Sequence, residues 1–427
     1  MNRSLRVIIS ILIALTASQN AWGIVSGDQD QGNAVLGIFG NANMDDTIDE
    51  NDVVYVEGVI NGTNEATNLS DANYDGMIDE KDRVQIEKII HGEDKELTII
   101  DSANNAVTIN KPVKKVVIGS SYYGEALLYI LDIDDNIIVG VEEATKTKSV
   151  LLPQLSEKES AGSRNNPDIE KILDLNPDIV FVYVNSPKPE LVEDKLEGTG
   201  IRVIRMDLWK MATLREEVEK LGYIFGKQEN ANKYLEFNDE IIGYITEQIS
   251  KIPEDERPRV YLDASAAEGT SDRKTRNAPD GVHQLCESAG GRNIASDLSS
   301  PNPAVSAEWV LTQNPDVILG CSFGMEGGYG ADNATQLEDH YNAIRALPGS
   351  EGIAAVKNNR IEIMSNDIAF GPDYFVALAY MAKFFHPTVF KDLDPEEIHQ
   401  DFMNRFYSSM DFDVSKQGAF VYLSMAV

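Results

Sequence analysis

Two twelve-residue stretches, 41–52 and 71–82, place oxygen-bearing side chains at positions 1, 3, 5, 9 and 12. They are Asn41, Asn43, Asp45, Asp49 and Asp52 in the first, and Asp71, Asn73, Asp75, Asp79 and Asp82 in the second. Position 7, Thr47 or Met77, would contribute only its backbone carbonyl, and the resulting set of hard oxygens is what Ca2+ coordinates in a loop of this length. Ile48 and Ile78 at position 8 supply an apolar peg to a small core. Position 6 demands a tight turn, and Gly76 allows it. Asp46 stands there in the first loop, so a positive φ is expected at Asp46, costing about 1 kcal/mol and weakening that site.

These ligands need elements to hold them. The segment 41–62 matches 71–92 at 11 of 22 positions with a period of 30, and an amphipathic helix is expected after each loop, over 52–60 and 82–90. Asp52 and Asp82 would satisfy free N–H groups at the helix starts, and Gly62 and Gly92 would stop the helices. Val53, Val56 and Ile60 line one inner face; Ile86, Ile89 and Ile90 line the other. The segment 41–92 carries 13 Asp+Glu against 3 Lys+Arg. A plain acidic linker would have that charge but no reason to repeat the ligand register. The duplicated loops, with Asp at position 12 and one helix after each, resemble a dockerin domain. That resemblance implies two Ca2+ ions and docking to a cohesin-like scaffold or surface protein. Dockerins commonly read their partner through positions 10 and 11, here Glu50-Asn51 and Glu80-Lys81, which departs from the familiar Ser/Thr pairs.

The whole chain has 427 residues, 42% hydrophobic and 25% charged, which excludes disorder and collagen as descriptions of it. Its 37 Lys+Arg against 70 Asp+Glu give a net charge of -33, a field that repels nucleic acid and anionic lipid. Arg3 and Arg6 before the apolar run 7–15, then Ala21-Trp22-Gly23, read as a secretory signal over 1–23. The mature chain is therefore expected outside the cytoplasm, held at the surface through the 41–92 module and not inserted in the membrane. Asn61, Asn68 and Asn333 head glycosylation triplets. Cys286 and Cys321 are too few for a disulfide scaffold, and buried thiols or one bridge both remain open. His283 with Cys286 is a weak zinc candidate beside the simpler reading of a packing pair. No G-x-G-x-x-G, Walker A, G-x-S-x-G or H-E-x-x-H occurs, so no enzyme is expected.

From 95 onward the pattern is apolar strands alternating with amphipathic helices, the mark of parallel sheets covered on both faces. A hairpin opens it at 97–100 and 106–109. Strands are expected over 114–118, 137–141, 179–184, 201–206, 260–263, 317–319 and 360–364, and helices over 125–131, 169–175, 188–196 and 306–312. A longer helical stretch, 213–252, broken near Gly226, would join lobe 1 (about 112–212) to lobe 2 (about 258–427). The phrase Asn176-Pro177-Asp178 after one helix returns as Asn314-Pro315-Asp316 after another, so one helix–turn–strand unit stands on each side of that link.

This remainder resembles a solute-binding protein of the metal-chelate type, on Lys114-Lys-Val-Val-Ile-Gly119, 168–178, the long helix after Trp209, and 358–362. The resemblance implies a two-lobed α/β periplasmic-binding-protein fold serving the ABC permease dimer of an importer for a ferric siderophore, haem or cobalamin-like chelate. Binding residues then belong on loops after strands. The candidates are Ser121, Tyr122, Tyr123, Arg164, Asn165, Asn185 and Trp209 in lobe 1, and Arg273, Arg276, Phe323, Phe370 and Tyr374 in lobe 2. Trp209 and Arg276 are expected to serve the ligand with little load on the fold. The glycine-rich stretch 324–330 is expected to be a loop at the cleft rim. Glu170 and Glu308, equivalent in the duplicated unit, are expected to face the permease. The competing readings are a surface structural or adhesion protein with a non-transporting binding domain, and an enzyme on the same scaffold.

Overall fold

The computed structural model describes residues 35–120, 122–264, 272–278, 280–299, 302–321 and 327–423; the expected signal at 1–23, Ser121, Phe323 and residues 324–326 of the glycine-rich stretch lie outside them. The chain divides into two compact units, one running from Gly32 to Phe237 and the other from Asn238 to the end.

In the first unit, helices α1 (Glu50–Ile60) and α2 (Glu80–His91) follow the two acidic loops and pack on one another. Both begin two residues earlier than their charge pattern suggests. Asp49 and Asp79 are the N-caps, and Asp52 and Asp82 reach back to the N-cap N–H, closing a capping box at each end. Val53 and Val56 face Ile86 and Ile89 in the buried set; Ile60, expected among them, is exposed. Gly92 ends α2 in the left-handed region. Asp46 does not adopt the positive φ expected of it, whereas Gly76 does at +90°. The turn at position 6 thus differs between the loops.

This module is joined to the rest of its unit by backbone and side-chain bonds. Strands β1 (Glu96–Ile100) and β2 (Ala106–Asn110) form the expected antiparallel hairpin. Residues 37–39 lie along β1: Phe39 donates to Thr98 O at 2.9 Å and Ile100 donates to Gly37 O at 2.8 Å. The Lys111 ammonium bridges Asp94 and the carbonyl of Tyr223, the latter at 2.8 Å.

The larger part of the unit is a parallel sheet. Its strands are β3 (Val116–Ile118), β4 (Ile138–Val141), β5 (Glu159–Ser160), β8 (Ile179–Val182) and β9 (Arg202–Arg205), in the order β5-β4-β3-β8-β9. A small hairpin, β6 (Gly162–Ser163) with β7 (Asn166–Pro167), precedes helix α4 (Ile169–Leu175). Helix α3 (Tyr122–Ile130) follows β3 directly. Val117, Ile172, Val180, Val182, Val192 and Leu196 form the core on one face of this sheet. The expected helix at 188–196 is instead a 3-10 turn and the short α5 (Glu193–Leu196). The two pieces are separated at Val192, whose φ of -128° and ψ of -67° leave the helical range. After β9 come α6 (Met211–Phe225) and α7 (Gln228–Ile249), separated at Gly226, whose φ of +66° caps α6. The boundary between the units falls within α7.

The second unit repeats the plan. Its strands β10 (Arg259–Asp263), β12 (Arg292–Asn293), β14 (Val317–Gly320), β15 (Ile361–Met364) and β16 (Val421–Leu423) run in the order β12-β10-β14-β15-β16, parallel except for β16. An antiparallel pair, β11 (Asp272–Lys274) with β13 (Ala304–Ser306), sits before α9 (Ala307–Gln313), and α8 (Gly281–Ser288) precedes β12. Helices α10 (Thr335–Arg345), α11 (Ala354–Lys357), α12 (Tyr374–Phe385) and α13 (Pro395–Phe406) complete it.

The duplicated phrase does the same work twice. Asn176 and Asn314 end α4 and α9 at φ of 47° and 45°. Asp178 then accepts the backbone N–H of Lys114 and Lys115, and Asp316 accepts that of Arg259. The side chains of Lys115 and Arg259 in turn donate to the carbonyls of Leu175 and Gln313. In each unit one turn fastens a helix end to the start of the neighbouring strand. Cys286 and Cys321 are separate buried thiols.

Candidate ligand-binding edge and acidic loops

The loops leaving β3, β4, β8 and β9 gather at the carboxyl edge of the first sheet, where an open parallel sheet leaves room for a ligand. Tyr122 and Tyr123 are half-buried at the start of α3, with ring centroids 4.2 Å apart, and the Lys148 ammonium lies 4.4 Å from the Tyr122 centroid. After β8, Tyr183 meets Trp209 edge-on at 6.4 Å. Lys210 approaches the indole at 5.3 Å. Arg164 and Asn165 form the exposed turn of the β6–β7 hairpin, and Asn165 accepts a bond from Ser186 Oγ at 2.7 Å. Asn185 is exposed beside it. The first-unit candidates that the structure describes thus lie on adjoining loops of one edge.

Buried polar groups fix these loops. Arg205, at the end of β9, forks onto Glu193 and donates to the carbonyls of Tyr183 and Pro187 at 2.8 and 2.9 Å. Asp207 accepts from Val184 N–H at 3.2 Å. Glu217 on α6 accepts from Asp207 N–H, Leu208 N–H and Ser102 Oγ, which holds Leu208 at a φ of 56° and aims Trp209. Burial pushes the Glu217 carboxyl upward. Sequence reading missed all of these. Glu217 had a signal, since it falls on the apolar stripe of Leu214, Val218 and Leu221 where a charge is out of place.

The second-unit candidates are placed differently. Arg273 is 2% exposed, and its guanidinium grips both oxygens of Asp263 at 2.9 and 2.6 Å, with His340 Nε2 2.8 Å from the same carboxylate. Arg276 is 1% exposed, bonded to Asp280 at 2.9 Å and Asn302 at 3.2 Å. Phe370 and Tyr374 are buried. Both guanidiniums are thus held by carboxylates of their own unit, Arg273 through a two-pronged fork. Burial holds the neighbouring Cys321 thiol well up, near 12. His283 pairs with Asn293 Nδ2 at 3.0 Å, a packing role in place of zinc ligation.

Glu170 and Glu308 are exposed in the first turns of α4 and α9. The N-caps, Asp168 and Ser306, accept from Lys171 and Trp309 N–H. Glu170 lines an open groove with Glu143, Asn166 and Asp168.

The acidic loops share one wiring. Asn43 and Asp49 donate their N–H groups to the two oxygens of Asp52, as Asn73 and Asp79 do to Asp82. Asp45 donates to Asn41 and Asn43 Oδ1, as Asp75 does to Asp71 and Asn73. Thr47 and Met77 donate to Asp45 and Asp75. Two differences stand out. Asn41 is buried and its amide donates to Leu36 O and Asp45 O, whereas Asp71 accepts Gly76 N–H at 2.8 Å. Among the described residues no three His, Cys, Asp or Glu side chains gather as a metal site. The donor set itself is all oxygen and fits a hard cation.

The sequence pattern of the periplasmic binding protein family matches residues 116–367. An uncharacterised ABC transporter substrate-binding lipoprotein of Bacillus subtilis, YvrC, is 23% identical over 300 residues, covering 69% of this chain and 87% of its own. The molybdate-binding protein MolA of Haemophilus influenzae is 23% identical over 344 residues, covering 72% and 90%. In fold, the chain is similar to the TroA-like periplasmic binding protein FepB of Veillonella parvula, with a TM-score of 0.62, 21% identity, and coverage of 76% and 99%. With more than half its length matched, the chain belongs to the periplasmic binding proteins, a non-catalytic family of extracytoplasmic receptors that serve the membrane permeases of ABC importers.

Proposed function

We propose that the chain captures a bulky metal chelate, a ferric siderophore, haem or cobalamin-like ligand, and delivers it to an ABC permease dimer. The observation that carries this reading is the aromatic edge of the first sheet. Tyr122, Tyr123, Tyr183 and Trp209 offer apolar ring faces, with Lys148 and Lys210 beside them, a surface suited to a flat or ring-bearing ligand of negative charge. Ser121 and Phe323 remain candidates from sequence, with Arg164, Asn165 and Asn185 at the polar margin. Arg273, Arg276, Phe370 and Tyr374 remain candidates of the second unit. The similarity to a molybdate-binding protein also favours a metal oxyanion as a second ligand class. Native mass spectrometry of protein taken from its own host tests this: a retained metal-bearing mass supports the reading, and a ligand-free protein that ignores haemin, cyanocobalamin, a ferric catecholate and molybdate overturns it.

The same reading gives residues 41–92 a dockerin-like role, tethering the receptor to a cohesin-like scaffold or surface protein. Asn41, Asn43, Asp45, Thr47, Asp49 and Asp52 would hold one Ca2+, and Asp71, Asn73, Asp75, Met77, Asp79 and Asp82 another. The ion would supply positive charge to a crowded anionic segment. Repetition of the loop wiring supports this, and exposed Val54, Tyr74 and Met77 provide apolar surface for a partner. Deleting 41–92 should release the protein from the cell surface; retention of the shortened chain would defeat the tether. Glu170 and Glu308 are proposed to meet basic residues on the two permease subunits.

A further inference from the structure

Glu125 stands three residues into α3, one turn beyond Tyr122, and its carboxyl is fully buried. A buried carboxylate is costly unless it is neutral or paired with a cation. Its bonds are to neutral groups: Thr145 Oγ1 at 2.5 Å and Glu142 N–H at 3.4 Å. Glu142 is itself buried, and its carboxylate accepts Ala144 N–H at 2.8 Å and Arg164 N–H at 3.2 Å. One chain of bonds therefore runs from α3, through the segment after β4, to the tip of the β6–β7 hairpin. The same segment carries Lys148 to the ring of Tyr122.

The charges around Glu125 do not neutralise it. Glu142 is of like sign and adds to the cost of ionising it. Glu143 and the Arg164 side chain are exposed, and the Lys146 ammonium is turned to the carbonyl of Ser156 at 2.9 Å. On α3 itself the titratable neighbours are the phenols of Tyr122, Tyr123 and Tyr129. Burial, helped by Glu142, pushes the Glu125 carboxyl up to about 8.

We propose that Glu125 is a protonation-controlled positioning residue for the aromatic edge. Glu125 accepts the bonds from Thr145 and Glu142 N–H in either charge state; as the neutral acid it keeps them with no charge to bury, and as the anion it puts an unneutralised charge in that spot beside buried Glu142, so that the segment 142–148 loosens. The functional consequence rests on the binding role proposed for that edge, but the structural device does not.

Hydrogen–deuterium exchange on the full-length protein, without ligand and corrected for intrinsic rates, tests it between about pH 6.5 and about 9.5. Protection of 142–148 and 162–167 should fall about tenfold through a midpoint near pH 8 in the unmodified protein, and E125Q should keep it throughout. The Thr145 hydroxyl lowers the carboxyl, so T145V should move the midpoint upward. Unchanged protection across that range in the unmodified protein overturns the proposal, as does an equal loss in E125Q. If E125Q does not fold, an unmoved midpoint in T145V overturns it alone. A protein that passes these tests but binds no chelate would leave the device standing and remove only its role in uptake.

Discussion

Ile48 in the first acidic loop donates its backbone N–H to the hydroxyl of Tyr223, 175 residues later on α6, at 3.2 Å. Gly37 likewise donates to Glu216 on the same helix at 3.1 Å. The acidic module is thus held against the helix whose Glu217 aims Trp209, so one element serves both.

Y223F should cost about 1 kcal/mol in chemical denaturation, the net worth of a partly buried hydrogen bond. It should also make residues 41–52 more sensitive to brief proteolysis. Identical denaturation midpoints and digestion rates would show that the contact is incidental.

Calcium should distinguish the two loops. Loop 71–82 has carboxylates at positions 1, 5, 9 and 12, whereas position 1 of the first loop is the neutral, hydrogen-bonded Asn41. Titration calorimetry of the full-length protein should show D71N weakening the tighter phase and N41D strengthening the weaker one. No heat in either loop's range would exclude calcium from the module.

W209A should weaken binding of the chelate found by native mass spectrometry about tenfold or more, with little change in thermal midpoint, since the indole is half-buried on an edge. R276A should behave otherwise. It strands Asp280 in a largely buried pair, at a cost of about 3 kcal/mol, and calorimetric unfolding should show it whether or not binding changes.

Stability should depend on pH through Glu125. Its carboxyl is raised in the folded protein to about 8 from an ordinary 4.5, so the folded state holds the proton more tightly. Its contribution is complete below about pH 4.5, declines as pH rises, and is lost above about 8. The difference in unfolding free energy between E125Q and the unmodified protein should change over that window alone. A constant difference from about pH 5 to about pH 9 would remove Glu125 as the source.

Charge reversal of Glu170 and Glu308 together should leave chelate affinity intact and reduce ligand-stimulated transport in reconstituted vesicles, because both residues are exposed at the starts of their helices. Normal transport by that double variant would reject the assignment.

Local order was legible in the residues themselves. The hairpin, the parallel strands, the break at Gly226 and the Asn-Pro-Asp turns follow from alternation, helical spacing and turn chemistry, which act between near neighbours. Tyr122 starts the helix after β3, Arg164 and Asn165 form a hairpin turn and Trp209 follows β9, and topology brings them to one edge. Only tertiary structure decided the fate of Arg273 and Arg276, since their carboxylates, Asp263 and Asp280, compete with any ligand only once packing brings them close and excludes water. It also decided that Glu125 and Glu142 share one buried spot, and that Ile48 meets Tyr223. Partners separated by 17 or 175 residues are set by how sheets and helices stack, which no spacing rule encodes.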